Sequence, residues 1–209
     1  MMRIEKIEPS RHKKGRVLVF LEDGTLIKVT EEELLRFSLR KGDVLEEDTL
    51  KALRASAESS SAKADAASLI GRRPMSTADL LRKLRDKGVT QTEASYAAEW
   101  LTAIGALDDA AYAAMLVRHY SASGYGERYL RDCLRRHGIE REVAEEALAG
   151  APPAVETARS FLATRFQGRK PDEKELKRAS DALLRRGFSW SEAREALRAY
   201  REIAEEEFL

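Results

Sequence analysis

Ser123 to Ala147 reads SGYGERYLRDCLRRHGIEREVAEEA, and its layout recurs about fifty residues upstream and about fifty residues downstream. A basic amphipathic run ends at His137-Gly138-Ile139, and an acidic run follows. Upstream the same join reads Lys87-Gly88-Val89, and downstream it reads Arg186-Gly187-Phe188. Gly88 and Gly138 are 50 positions apart, Gly138 and Gly187 are 49 apart, and an alanine stands six residues past each glycine (Ala94, Ala144, Ala193). Three joins in register point to a unit that has been tripled.

The chemistry of one join explains how it can be copied. Leu130, Cys133, Leu134 and Ile139 form one apolar stripe at helical spacing, with Arg128, Arg131, Arg135 and Arg136 largely outside it. A glycine just past a basic last turn stops a helix, because it takes the left-handed conformation and the cations suit the negative end of the dipole. A second helix then starts at once. Thr90-Gln91-Thr92-Glu93 and Ser189-Trp190-Ser191-Glu192 match the capping box, whereas the middle unit has Glu140-Arg141-Glu142-Val143 and a less secure start. An apolar segment precedes each basic helix, at Ala66 to Ile70, Tyr112 to Tyr120 and Val155 to Phe166. Each unit therefore reads as three helices.

Composition narrows the class. With 209 residues, 43% hydrophobic, 35% charged and 7% aromatic, the chain suits several small cores better than one large one. Thirty-seven basic and thirty-six acidic residues give a net charge of +1, so local sorting of charge matters more than the total. The single cysteine, Cys133, excludes an intramolecular disulfide, and no stretch has the length of a membrane span or the order of a signal peptide. A cytoplasmic protein is expected.

Taken in order, residues 1–54 read as a β-rich module with a helix. Ile4 to Ile7, Gly15 to Leu21 and Leu26 to Val29 suggest a three-stranded meander, with Asp23-Gly24 in a tight turn that favours positive φ at both central positions. Arg11, His12, Lys13, Lys14 and Arg16 gather at the other turn as a solvated basic cluster. A helix runs from Thr30 to Leu39, and Val44 to Arg54 suggests a further short one. Residues 55–67, ASAESSSAKADAA, lack large apolar side chains and read as a linker. The repeats then span 68–106, 107–151 and 152–209. Ser76 to Asp79 is another capping-box match, Asp108-Asp109 suits a helix N-terminus, and Pro152-Pro153 separates the last two units. Glu202 to Leu209 reads as an acidic, fraying helix tail.

At RRPMSTADLLRKLRDKG, LTAIGALDDAAYA, SGYGERYLRDCLRRHGI and RRGFSWSEAREAL the sequence resembles the RecX family, bacterial regulators of the RecA recombinase. The resemblance covers roughly Leu69 to Leu197 and is closest in the central unit. It implies a mainly α fold of three tandem three-helix repeats in an elongated, curved array, here preceded by the small β-meander module. It also implies a non-enzymatic protein without cofactor that binds along RecA filaments on DNA. Such a protein limits filament growth, strand exchange and ATP hydrolysis, and touches DNA weakly and without sequence preference. The family brings no catalytic residues. Leu80, Leu84, Gly88, Leu107, Asp108, Asp109, Tyr112, Gly124, Gly126, Leu134 and Gly138 match its pattern and read mostly as fold-makers.

The residues themselves sort charge by helix. Each middle helix is net positive and each third helix carries the acids: Glu93 and Glu99; Glu140, Glu142, Glu145 and Glu146; Glu192 and Glu195. The candidate contacts to filament or DNA are Arg82, Lys83, Arg85 and Lys87 in the first unit. They are Arg118, Tyr125, Arg128, Arg131, Arg135 and Arg136 in the second, and Arg169, Lys170, Lys174, Lys177, Arg178, Arg185 and Arg186 in the third. The alternative is a stand-alone DNA-binding protein with helix-turn-helix-like repeats. There the second helix of the pair would enter the major groove, and Glu140, Glu142, Glu145 and Glu146 give it the wrong sign for phosphates.

Other sites fail on the residues. Gly124-Tyr125-Gly126 is followed by Tyr129 where a dinucleotide fingerprint needs glycine, and Cys133 with His137 supplies only two potential metal ligands. Trp100, Trp190, Tyr112 and Phe161 read as core, and Tyr125, between glycines, as the exposed aromatic. A monomer is expected, making many weak contacts across more than one filament subunit.

Overall fold

In the structure, a computed structural model, residues 1–11 and 14–206 are described, with side chains as far as Ile203. His12 and Lys13 of the basic cluster, and residues 207–209 of the acidic tail, lie outside the described residues. The strands are β1 (Met2–Pro9), β2 (Arg16–Leu21), β3 (Leu26–Thr30) and β4 (Val44–Leu45), with α1 (Glu31–Arg36) between β3 and β4. The helices that follow are α2 (Glu47–Ile70), α3 (Thr77–Asp86), α4 (Gln91–Ala103), α5 (Asp109–Ala122), α6 (Glu127–Arg136), α7 (Arg141–Ala149), α8 (Ala154–Phe166), α9 (Glu173–Arg185) and α10 (Trp190–Glu206). Two compact units result: Met1–Arg73 with Leu80–Ala106, and Pro74–Asp79 with Leu107–Leu209.

The first unit opens on an antiparallel sheet of order β3-β2-β1-β4, one strand more than the expected meander. Val44-Leu45, expected to start a helix, pairs instead with Met2 and Arg3. Alternation along β1, β2 and β3 sends Ile4, Val17, Val19, Leu21, Ile27 and Val29 inward against Leu50, Leu53 and Ala57. At the Asp23-Gly24 turn only Gly24 has positive φ, at 81°. Asp23 instead accepts the Thr25 amide at 2.9 Å and the Thr25 hydroxyl at 2.7 Å, so side-chain bonding replaces the second left-handed residue. The helix expected to run to Leu39 ends at Arg36, where Ser38 turns left-handed at φ 51°.

The expected linker at 55–67 is not a linker. It lies within α2, a continuous helix of 24 residues that buries Ala57, Ala62 and Ala66. Alanine has the best helix propensity, and its small side chain lets helices approach closely, so a stretch poor in large apolar groups can still pack. The amino-terminal half of α2 covers the sheet, and the helix also packs along α4. A polar clamp ties it to α1: buried Glu33 accepts Ser56 Oγ at 2.6 Å and Ser60 Oγ at 3.2 Å, while Arg16 donates to Ser60 Oγ at 2.8 Å and to its carbonyl at 2.7 Å.

The second unit holds the triplets α5–α6–α7 and α8–α9–α10. Leu116, Val117, Leu130, Cys133, Leu134, Ile139 and Ala144 form one core; Leu162, Phe166, Leu183, Phe188, Ala193, Ala196 and Tyr200 form the next. All three join glycines are left-handed, with φ of 84° at Gly88, 67° at Gly138 and 89° at Gly187. The capping boxes at Thr90/Glu93 and Ser189/Glu192 form as expected. Two more form at Thr30/Glu33 and Asp172/Glu175, while Glu140 makes no side-chain cap.

Candidate partner-binding surface

A cation can serve a partner only if its own fold has not already engaged it, and this divides the candidate residues. In the second unit the start of α6 meets the end of α9. The Gly126 amide donates to the Arg186 carbonyl at 2.9 Å, the Arg128 amide donates to the Gly187 carbonyl at 3.2 Å, and the Arg128 guanidinium donates to the Leu184 carbonyl at 3.1 Å. The Arg186 guanidinium donates back to the Ser123 carbonyl at 2.9 Å and lies over the rings of Tyr125 and Phe161, 4.7 and 4.4 Å from their centroids. Arg128 and Arg186 thus join repeats.

Tyr125 belongs to the same joint. Its ring stacks on Tyr129 at 4.1 Å and meets Tyr120 edge-on, so it is partly buried rather than the exposed aromatic. Among the described Trp, Tyr and Phe residues, Trp190 is 64% exposed and Tyr96 is 50% exposed. Trp190 is not core because it occupies the first position of α10, beside Arg194, while Phe188, Ala193 and Ala196 carry the packing. Tyr96 lies under the Lys63 ammonium, 4.4 Å from its centroid.

Several exposed cations are held by carboxylates. Arg131 pairs with both Glu127 and Glu145, which raises its pKa, and Arg169 donates to both oxygens of Glu175 at 2.8 and 2.6 Å. The Arg169 guanidinium, followed by the Asp172 amide, holds the Glu175 carboxyl down to about 2. Lys87 pairs with Asp65 at 3.1 Å, Arg135 lies 3.4 Å from Asp132, and the Arg136 guanidinium sits 5.5 Å from the Tyr129 centroid. Burial in the α6 stripe pushes the Cys133 thiol pKa up, as suits a packing residue.

What remains is a set of cations with no ion pair among the described residues: Lys83 and Arg85 on α3, Arg118 on α5, and Lys174, Lys177, Arg178 and Arg185 on α9. The α9 group is the densest. Its outer face also carries Glu173, engaged by Arg201 at 2.6 Å, and Asp181, so four cations face solvent against one carboxylate that has no salt bridge among the described residues. Arg82 and Lys170 are exposed as well. Such a face offers point charges to an anionic partner, and its helical spacing spreads them along about 16 Å of axis. Among the described residues no three His, Cys, Asp or Glu side chains converge as metal ligands. No helix among them is long and apolar enough to cross a membrane.

The joint at Gly126 and Arg186 has a counterpart earlier in the same unit. Ser76, at the head of α3, donates its hydroxyl to the His137 carbonyl, and the Asp79 carboxylate lies 2.6 Å from His137 Nδ1. The Thr77 amide donates to Asp109 at 2.7 Å, while Asp108 caps α5 through the Ala111 amide at 2.9 Å. Asp109 therefore serves a helix 32 positions away in sequence, a role its place beside Asp108 does not reveal. Similarly, nothing in ASAESSS signals that two of its serines, Ser56 and Ser60, would hold Glu33.

Family profiles match both later triplets: RecX, second three-helix domain, over residues 108–148, and RecX, third three-helix domain, over residues 154–197. Regulatory protein RecX of Xanthomonas axonopodis pv. citri (strain 306) is 37% identical over 132 residues, which are 62% of this chain and 82% of that protein. Regulatory protein RecX of Stenotrophomonas maltophilia (strain R551-3) is 36% identical over 136 residues, 62% of this chain and 81% of that protein. A crystal structure of regulatory protein RecX aligns with a TM-score of 0.67 at 26% identity, covering 92% of this chain and 97% of that one. RecX from Lactobacillus salivarius, at 20% identity, shares the fold with a TM-score of 0.59 over 68% of this chain and 96% of its own. Spanning most of relatives at this level of identity, and carrying both domains in order, the chain belongs to the RecX family of regulatory proteins.

Proposed function

We propose that the chain modulates the RecA recombinase without catalysing a reaction, binding along RecA–DNA filaments and limiting filament growth, strand exchange and ATP hydrolysis. Its family membership supports the regulatory role. The observation that carries the mode of binding is the outer face of α9, where Lys174, Lys177, Arg178 and Arg185 have no ion pair among the described residues. A filament on DNA is a repeating polyanion and protein surface, and dispersed cations suit many weak contacts better than one deep pocket. Lys83, Arg85 and Arg118 add to the set. DNA contact is weak and indifferent to sequence, because these are point charges without a recognition helix of matching sign.

Reversing the four α9 cations to glutamate and measuring RecA-dependent strand exchange tests the reading. Loss of inhibition in a variant that keeps its helical content supports it; unchanged inhibition removes the α9 face from the mechanism. A salt titration against duplex and single strands without recombinase separates this from a stand-alone DNA-binding protein, which would bind tightly and lose affinity steeply with salt.

A further inference from the structure

The two joints inside the second unit follow one rule. In each, the residue heading a middle helix donates a hydrogen bond to the carbonyl just before the next repeat's join glycine: Ser76 Oγ to the His137 carbonyl, and the Gly126 amide to the Arg186 carbonyl. In each, the glycine backbone lies against that helix start. A Cβ on Gly138 would fall 2.5 Å from Ala78 Cβ, and one on Gly187 would fall 2.4 Å from the Tyr129 amide nitrogen. The side chain before the glycine also reaches across, His137 to Asp79 and Arg186 to Ser123.

The first join, Lys87-Gly88-Val89, has the same left-handed glycine and no such partner. A Cβ on Gly88 would meet nothing within 4 Å, and Arg85, Lys87 and Gly88 are exposed. Among the described residues no hydrogen bond reaches the Lys87 carbonyl. The Lys87–Asp65 pair is solvent-accessible, and such surface pairs contribute little to stability. In repeat arrays each unit contacts only its neighbours, so a join left without one is open to a contact from outside the array.

We propose that the Lys87-Gly88-Val89 join docks the first turn of a helix from a partner protein, one headed by serine or glycine and carrying a carboxylate within that turn. Continuity with the two filled joints argues for the helix start, since the Ser76 hydroxyl and the Gly126 amide are its internal models for the donor and Asp79 is the model for the carboxylate. Charge argues for the carboxylate, because exposed Arg85, with no ion pair among the described residues, stands at the open join. A second copy of this chain has no middle helix free to supply that start. The remaining middle helix, α9, is headed by Asp172, whose amide already donates to Glu175 at 3.0 Å and whose side chain only accepts, so no donor is left for the Lys87 carbonyl.

The test rests on the filament reading above. A photo-crosslinking amino acid replaces exposed Asp86, or in a second variant Arg85, in the full chain, which is then irradiated on preformed RecA–DNA filaments. The expected result is a crosslink mapping to the first turn of a RecA helix headed by serine or glycine, lost when Lys87→Glu is added. A crosslink to DNA, to a strand or to a helix interior overturns the proposal. So does the absence of any crosslink from either position while both variants still co-sediment with filaments, and in that case the filament reading survives. If the unmodified chain fails to co-sediment, both fall together.

Discussion

The backbone amide of Gly126 donates to the carbonyl of Arg186 at 2.9 Å, and this bond between two turns sixty residues apart fixes the third repeat against the second. The approach is so close that a Cβ on Gly126 would lie 2.7 Å from the Gly187 carbonyl carbon and the Phe188 nitrogen. Both are backbone atoms and cannot step aside as a flexible side chain would.

Gly126→Ala is therefore expected to destabilise the second unit by about 1–3 kcal/mol, the usual range for overpacking. Gly150→Ala is the control, because its nearest neighbour would be 3.5 Å away, in ordinary contact. Urea unfolding of the two variants should separate them; equal midpoints would mean that the joint yields.

The tie between Asp79 and His137 predicts energetic coupling. Asp79→Ala removes a carboxylate that is only 8% exposed and leaves the His137 ring without it, at a cost of about 1–3 kcal/mol. In a double-mutant cycle with His137→Ala, the two losses should fall short of additivity by at least about 0.5 kcal/mol. Strict additivity would show that the bond contributes nothing.

The buried alanines of α2 make the corrected reading of residues 55–67 testable. Ala62→Leu should cost about 1–3 kcal/mol, because Ala62 is 1% exposed and the added side chain has no space to occupy. In a solvated linker the same change would leave the unfolding midpoint where it was.

Acid should weaken the fold through two carboxylates. Burial opposes charge on Glu33, but hydrogen bonds from Ser56, Thr30 and Ser60 outweigh it and lower its pKa below 4.5; Glu175 is lowered to about 2. A carboxylate with a depressed folded pKa gives stability that is complete above the unfolded pKa and lost as pH falls through the folded one. For Glu175 that window runs from about 4.5 down to about 2. Unfolding followed across this range should show a shallower pH slope in Glu33→Gln and Glu175→Gln than in the parent chain.

The repeats were legible in the sequence because their joins depend on local chemistry. A left-handed turn at Gly88, Gly138 and Gly187 requires glycine, and Thr90/Glu93 and Ser189/Glu192 cap within four residues. The candidate surface was legible only in part. Arg128, Arg186 and Lys174 look alike as residue types, yet the first two are engaged by carbonyls more than fifty positions away, which no local pattern encodes. Tyr125 is covered by Tyr129 and the distant Arg186, whereas Trp190 is exposed by its place at the start of α10. Residues 55–67 resemble a linker because they lack large apolar side chains, yet packing by Ala57, Ala62 and Ala66 is what brings α2 close to its neighbours.

The α9 face also predicts how binding responds to salt. Each cation removed from a phosphate contact lowers the slope of log affinity against log salt by about 1. Lys177→Ala should therefore flatten the dependence of filament binding on salt, whereas Arg135→Ala, whose partner Asp132 is on its own helix, should change it less.

The most direct measurement is co-sedimentation of the chain with preformed RecA–DNA filaments, comparing the parent with the variant carrying Lys174→Glu, Lys177→Glu, Arg178→Glu and Arg185→Glu. The account predicts that the parent pellets with the filaments and that the folded variant stays largely in the supernatant. Equal pelleting of the two, or a parent that never pellets, would contradict it.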